Sequence, residues 1–180
     1  MKDETKTNAI VEMKCFRLPF IFRKLTQFFS FIGRNDLSKI VNERFGTLKW
    51  ADTQHNLGTN ARLAVFSGLI GNTGAQTAFG YLAVGTSSTA VSAAHTALQA
   101  EITDTGLGRA ASTNSRTTTT QTNDTLVMTK TWTATGTKVV EEVGYFNASS
   151  GGVMGGRCLT TTKNLANTDV FQITYSVVFS

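Results

Sequence analysis

The stretch Asp169-Val-Phe-Gln-Ile-Thr-Tyr-Ser-Val-Val-Phe-Ser180 sets Phe171, Ile173, Tyr175, Val177 and Phe179 at every second position. Successive side chains of a β-strand point to opposite faces, so strict alternation of this kind marks a strand with one buried face. All five are expected to face a core. Upstream, Leu126, Met128, Trp132 and Ala134 alternate with Val127, Thr129, Thr131 and Thr133, which predicts a half-buried strand. Lys130 interrupts that apolar face and is expected at a rim or beside a carboxylate. KVVEEVGYFN (138–147) predicts another strand, turned by the Asn-Ala-Ser-Ser-Gly-Gly cluster at 147–152, with a further strand over Arg157–Thr162.

Working back along the chain, FGYLAVGTSS (79–88) predicts a strand buried on both faces and ended by Gly85. Residues 90–99 are rich in small side chains and read as irregular or as one helical turn. LGRAASTNSRTTTTQT (107–122) suits a solvated edge strand. Ala61–Ile70 favours a short helix, and 48–62 reads as a linker or a first strand edge. Composition agrees: 180 residues with 30 threonines, 16 glycines and one proline suit short strands and tight turns in one domain. An apolar content of 41% argues against a disordered chain. The expected fold is mainly β, an antiparallel β-sandwich or jelly-roll-like domain over residues 48–180.

Charge sets the N-terminal third apart. Residues 1–62 hold 11 basic and 6 acidic side chains, whereas residues 63–180 hold 6 of each, so the whole net charge of +5 lies in the first part. Seven of the 12 phenylalanines also fall there. Residues 1–47 are therefore expected to be a basic, phenylalanine-rich arm that is dispensable for the fold, its first ten residues a mobile or partner-ordered tail. Within it, Asp36 as N-cap, Gly46 as stop and Leu37, Ile40, Val41, Arg44 and Phe45 on one face predict a helix near 37–45. The run Met13–Ile32 carries Lys14, Arg17, Arg23 and Lys24, too many charges for a spanning helix or a signal peptide. Arg17, Phe22, Arg23, Lys24, Phe28, Phe29, Phe31 and Arg34 are the candidate partner-binding residues, since aromatic residues and arginine are enriched in interface cores. Membrane binding and specific nucleic-acid binding are not expected, the charge belonging to an arm and not to a folded face.

Catalytic motifs are sparse. Asp104-Thr-Gly106 matches the aspartic-protease tripeptide, but it lacks a second aspartate in similar context and reads as a turn. The segment GLIGNTGAQTAFG lacks the Gly-Lys-Ser/Thr ending of a phosphate loop. His55 and His95 share no ligand-spaced cluster with Cys15 or Cys158, which are expected to be unpaired thiols. No catalytic residue, cofactor or metal is expected.

Two passages carry a resemblance. Tyr81-Leu-Ala-Val-Gly-Thr-Ser-Ser-Thr-Ala90 and Glu141-Glu-Val-Gly-Tyr-Phe-Asn-Ala-Ser-Ser-Gly-Gly-Val-Met154, with the Thr-rich strand from Arg109 and the closing strand Val170–Phe179, resemble accessory virion proteins of tailed bacteriophages. The resemblance spans about residues 56–180. It implies a non-enzymatic structural protein of the virion, a capsid decoration or accessory protein attached through the arm, with other virion proteins and further copies of itself as partners. A tail, collar or fibre component is the alternative. A receptor- or carbohydrate-binding module is another, with Trp50 and Tyr145 as its candidate aromatics.

Overall fold

The computed structural model describes residues 9–17, 22, 28, 29, 34, 37, 40, 41 and 44–179. Among them run β1 (Ala9–Arg17), β2 (Thr47–Gly58), the helix α1 (Ala61–Gly71), β3 (Tyr81–Gly85), β4 (Ala110–Ala111), β5 (Thr113–Thr117), β6 (Thr125–Thr133), β7 (Lys138–Phe146), β8 (Met154–Leu165) and β9 (Val170–Val178). The chain is mainly β, as its alternation predicts. These strands form one antiparallel sheet in the order β4-β3-β7-β8-β2-β1-β9-β6-β5.

The sheet nearly closes on itself. Its end strands β4 and β5 are separated in sequence by Ser112 alone, so one continuous stretch pairs with β3 and then with β6. Ser112 N bonds to the Gly80 carbonyl at 2.9 Å and Asn114 Nδ2 to the Phe79 carbonyl at 2.8 Å, which holds the turn of that corner. The second corner is β2, which pairs with β1 over most of its length and with β8 only at Leu57 and Gly58. Where β2 and β8 diverge, side chains bridge them: Lys163 Nζ lies 2.7 Å from Asp52 Oδ2 and 5.0 Å from the Trp50 ring centroid.

The core lies inside this curved sheet. Phe171, Ile173, Tyr175 and Val177 of β9 are fully buried and stand beside Cys15, Met13, Val11 and Ala9 of β1, all likewise buried. On the other side they meet Trp132, Lys130, Met128 and Leu126 of β6. Phe179, expected in the core, lies past the end of β9 and is 44% exposed. Lys130 shares the inner face, and burial lowers its pKa. β5 covers β6 only from Thr125 to Thr129, so Lys130 begins the open part of the edge. An inward-pointing lysine there discourages pairing with a foreign strand.

Residues 9–17 do not belong to an arm separable from the β domain. β1 is an interior strand, paired on both sides with β2 and β9. The expected tail over the first ten residues overlaps it at Ala9 and Ile10, and the expected boundary between residues 47 and 48 falls at the start of β2. The cause is plain in Val11-Glu-Met-Lys-Cys15, where every second residue is apolar. The linker reading of 48–62 gives way to β2 and the entry to α1, whereas the helix near 37–45 agrees with helical Leu37, Ile40, Val41, Arg44 and Phe45. Asp36 lies outside the described residues.

A chain reduced to residues 48–180 is expected to lose cooperative melting by circular dichroism. Val11, Met13 and Phe16 are buried, and each contributes about 1.5–3 kcal/mol, against a margin of about 5–15 kcal/mol. Removal of β1 also exposes the edges of β2 and β9. In the full chain, Ile173→Ala is expected to cost about 2–5 kcal/mol in denaturant melts.

Candidate interaction surfaces

The candidate docking residues divide into three groups. Arg17 closes β1 with its Nε 3.6 Å from Asp169 Oδ1, while Lys49 bonds the other carboxylate oxygen and the Ala166 N–H donates to it at 2.9 Å. This arginine thus helps neutralise a buried aspartate of its own chain. Phe22 stacks on Phe45 at 4.3 Å between centroids and packs against Phe16 and Val170. Phe28 is 56% exposed, 5.9 Å from Phe29 between ring centroids, and Arg34 is exposed. Arg23, Lys24 and Phe31 lie outside the described residues. Exposed Ile40, Phe45 and Leu48 extend the apolar surface of the same segment.

The outer face of β3, β7 and β8 is roofed by the stretch around Leu98, which packs with Ala83, Phe146 and Met154. Beneath it, Glu142 and Arg157 are both buried, joined by Arg157 Nε to Glu142 Oε2 at 2.6 Å. The carboxylate also accepts the N–H groups of Gln99 at 3.1 Å and Ala100 at 2.7 Å, so it pins the roof. Gly85 permits this, since a Cβ there would overlap the carboxylate and the Ala100 carbonyl. Arg109 lies 3.5 Å over the Phe146 ring centroid, grips Glu101 with two nitrogens, and donates to the carbonyls of Ala148 and Gly151. The residues quoted for the resemblance therefore meet in one place, β3 beside β7 with the 147–152 turn above. Their polar groups hold loops in place.

Other candidates acquire structural partners. Asp104 is exposed and pairs with Lys138 at 2.7 Å, a hydrogen bond that lowers its pKa. His95 Nδ1 accepts from the Ser92 N–H at 3.3 Å. Cys15 and Cys158 are free and buried, and burial pushes each thiol up to about 12. Tyr145 is fully buried with its ring against the backbone of Gly155 and Gly156, and Trp50 packs on Phe171. Trp50 is half-buried, with Lys163 over its ring, whereas Tyr145 has no exposed ring face. Among the described residues, no three metal-ligating side chains gather and no helix is long and apolar enough to cross a membrane.

One surface was not foreseen. Phe66, Leu69 and Ile70 of α1, with Ala78, Phe79, Asn114, Leu126 and Phe179, line an apolar groove of about 500 Å³. Leu63 and Ile70 beside it are 58% and 88% exposed. The sequence signal was the apolar run 63–70, which predicted the helix without indicating which side would stay uncovered.

Glu142→Ala is expected to cost about 3–5 kcal/mol, because it strands a buried guanidinium. The double variant Glu142→Met/Arg157→Met is expected to be more stable than that single variant in the same urea melts. Asp124 accepts backbone N–H bonds from Gln121, Thr119 and Thr120, which hold its carboxyl below the usual range. A depressed folded pKa gives stability above the unfolded value of about 3.9 that is lost as pH falls through the folded one. Asp124→Asn is therefore expected to flatten the acid side of the stability profile.

Compared with protein-family models, with curated proteins and with solved structures, the chain matches none.

Proposed function

We propose that the protein is a non-catalytic structural component of a tailed-bacteriophage virion, a capsid decoration or accessory protein. It docks through the basic, phenylalanine-rich segment between β1 and β2. The observation that carries the docking reading is the exposure of Phe28 (56%), Ile40 (55%), Phe45 (43%) and Leu48 (52%) within one short stretch. Large apolar side chains left in water next to arginine and lysine fit a protein partner with an apolar patch and an acidic rim. Support for the virion comes from the likeness of residues 81–90 and 141–154 to accessory virion proteins. We also read the curved sheet as a β-sandwich, with β2 and the 110–117 stretch as strands that switch layers.

This reading changes how the segment works. It is joined at both ends to sheet strands, so it presents its aromatics without the full freedom of a terminal tail and loses less entropy on docking.

Two measurements test it. Mass spectrometry of purified particles from the source is expected to find the chain, and labelled antibody is expected to decorate heads. Label on tails would move the protein to the alternative position, and its absence from particles would end the virion reading. In re-addition to particles lacking the protein, the full chain with Phe28→Asp and Leu48→Asp is expected to melt as the parent does yet lose occupancy at every ionic strength. Arg34→Gln is expected to make binding less salt-sensitive, charges contributing mainly to encounter rate.

A further inference from the structure

We propose that the groove beside α1 is a self-association surface on which a second copy of this chain docks across a two-fold axis. The inference does not depend on the virion reading or on the segment between β1 and β2.

α1 buries Arg62, Val65 and Gly68. Its only charged side chain therefore points inward, and the outward side is left to Leu63, Leu69 and Ile70. A helix apolar on both sides, with one side in water, lacks a partner. The groove floor is firm. Phe179, Phe66, Phe79, Tyr145 and Tyr175 form a ladder of tilted rings with neighbouring centroids 4.9–5.7 Å apart, running from the groove into the core. Its one polar side chain, Asn114, is already engaged, Nδ2 with the Phe79 carbonyl at 2.8 Å and Oδ1 with the Ser112 hydroxyl at 2.7 Å. A polar small molecule would find little to orient it. An apolar side chain needs no such handle.

Shape and charge select the occupant. A two-fold contact sets one patch against itself, so a projection and a recess must lie side by side on the same face. Ile70, 88% exposed, projects at the rim of the groove that Phe66, Leu69 and Phe179 line. The Ile70 of each copy can then enter the groove of the other. Charge imposes the stricter condition. Two copies each carrying +5 repel, least where the contact itself brings no like charges together. No Asp, Glu, Lys or Arg occurs from Leu63 to Ala100. Among the described residues, the charges that approach the groove are Arg116, which pairs with Leu126 and stays exposed, and Asp124, whose carbonyl accepts the Phe179 N–H at 3.0 Å, one of each sign at the rim. A stable contact buries about 800 Å² per partner, more than one short helix supplies. The uncharged, exposed residues 71–78 extend the patch from the end of α1.

Sedimentation velocity on the full chain, over a wide concentration range and at low and high salt, tests the proposal. The expected result is a monomer–dimer equilibrium that salt does not weaken. Ile70→Glu is expected to raise the dissociation constant at least about tenfold with the melting of the monomer unchanged. Should that variant misfold, Leu63→Lys on the same face makes the same test. Leu48→Asp, in the other exposed patch, is expected to leave dimerisation as it is. A chain that is monomeric throughout would overturn the proposal, as would a dimer indifferent to both α1 substitutions. A monomer whose groove binds the apolar dye anilinonaphthalene sulfonate would assign the groove to a small apolar ligand instead.

Discussion

β9 shares its inner face with β1 and β6 at once, and this three-strand register governs the rest of the molecule. Phe171 meets Cys15 and Trp132, Ile173 meets Met13 and Lys130, and Tyr175 meets Val11 and Met128. A slip of one residue in either pairing would turn Phe171, Ile173, Tyr175 and Val177 away from the core. Once that register is set, β1 carries β2 beside it and β6 carries β5. The outer members of this half then reach β8 and β3 at the two corners. The second half hangs on those corners, and its outer face is closed by a loop fastened to a buried carboxylate. Ion pairs and loops thus complete a structure whose order the apolar alternation establishes.

That order also shapes function. A segment with exposed Phe28, Ile40, Phe45 and Leu48 leaves the sheet after β1 and returns at β2. α1 projects a second apolar surface, joined to the core through Phe66 and Phe79.

Much of the fold was legible because strands with one wet face announce themselves. β9 and β6 follow from alternation, β3 from a short apolar run ended by Gly85, and the turn before β8 from its glycines. β1 was missed although Val11, Met13 and Cys15 alternate with Glu12 and Lys14, because a tally of charge over residues 1–62 is blind to period. β2 was obscure for a different reason. Its inward positions are Trp50, Asp52, Gln54 and Asn56, mostly polar, since β2 pairs with β1 there but not with β8, and Asp52 meets Lys163 and Thr161 across the gap. Glu142 and Arg157 could not be paired from spacing, because they meet diagonally across β7 and β8, where Glu142 pairs with Leu159 and Arg157 with Gly144. Of the docking residues, Phe28 and Arg34 are exposed. Arg17 and Phe22 turn to partners within the chain, which no composition could foretell.

Native-state hydrogen exchange on the full chain measures the central claim directly, that residues 9–17 are an interior strand of one cooperative unit. The amides of Val11, Met13 and Cys15 should exchange with those of Ile173 and Tyr175, at the free energy of global unfolding. Fast exchange over residues 9–17 beside a fully protected β9 would contradict it and return β1 to a detachable arm.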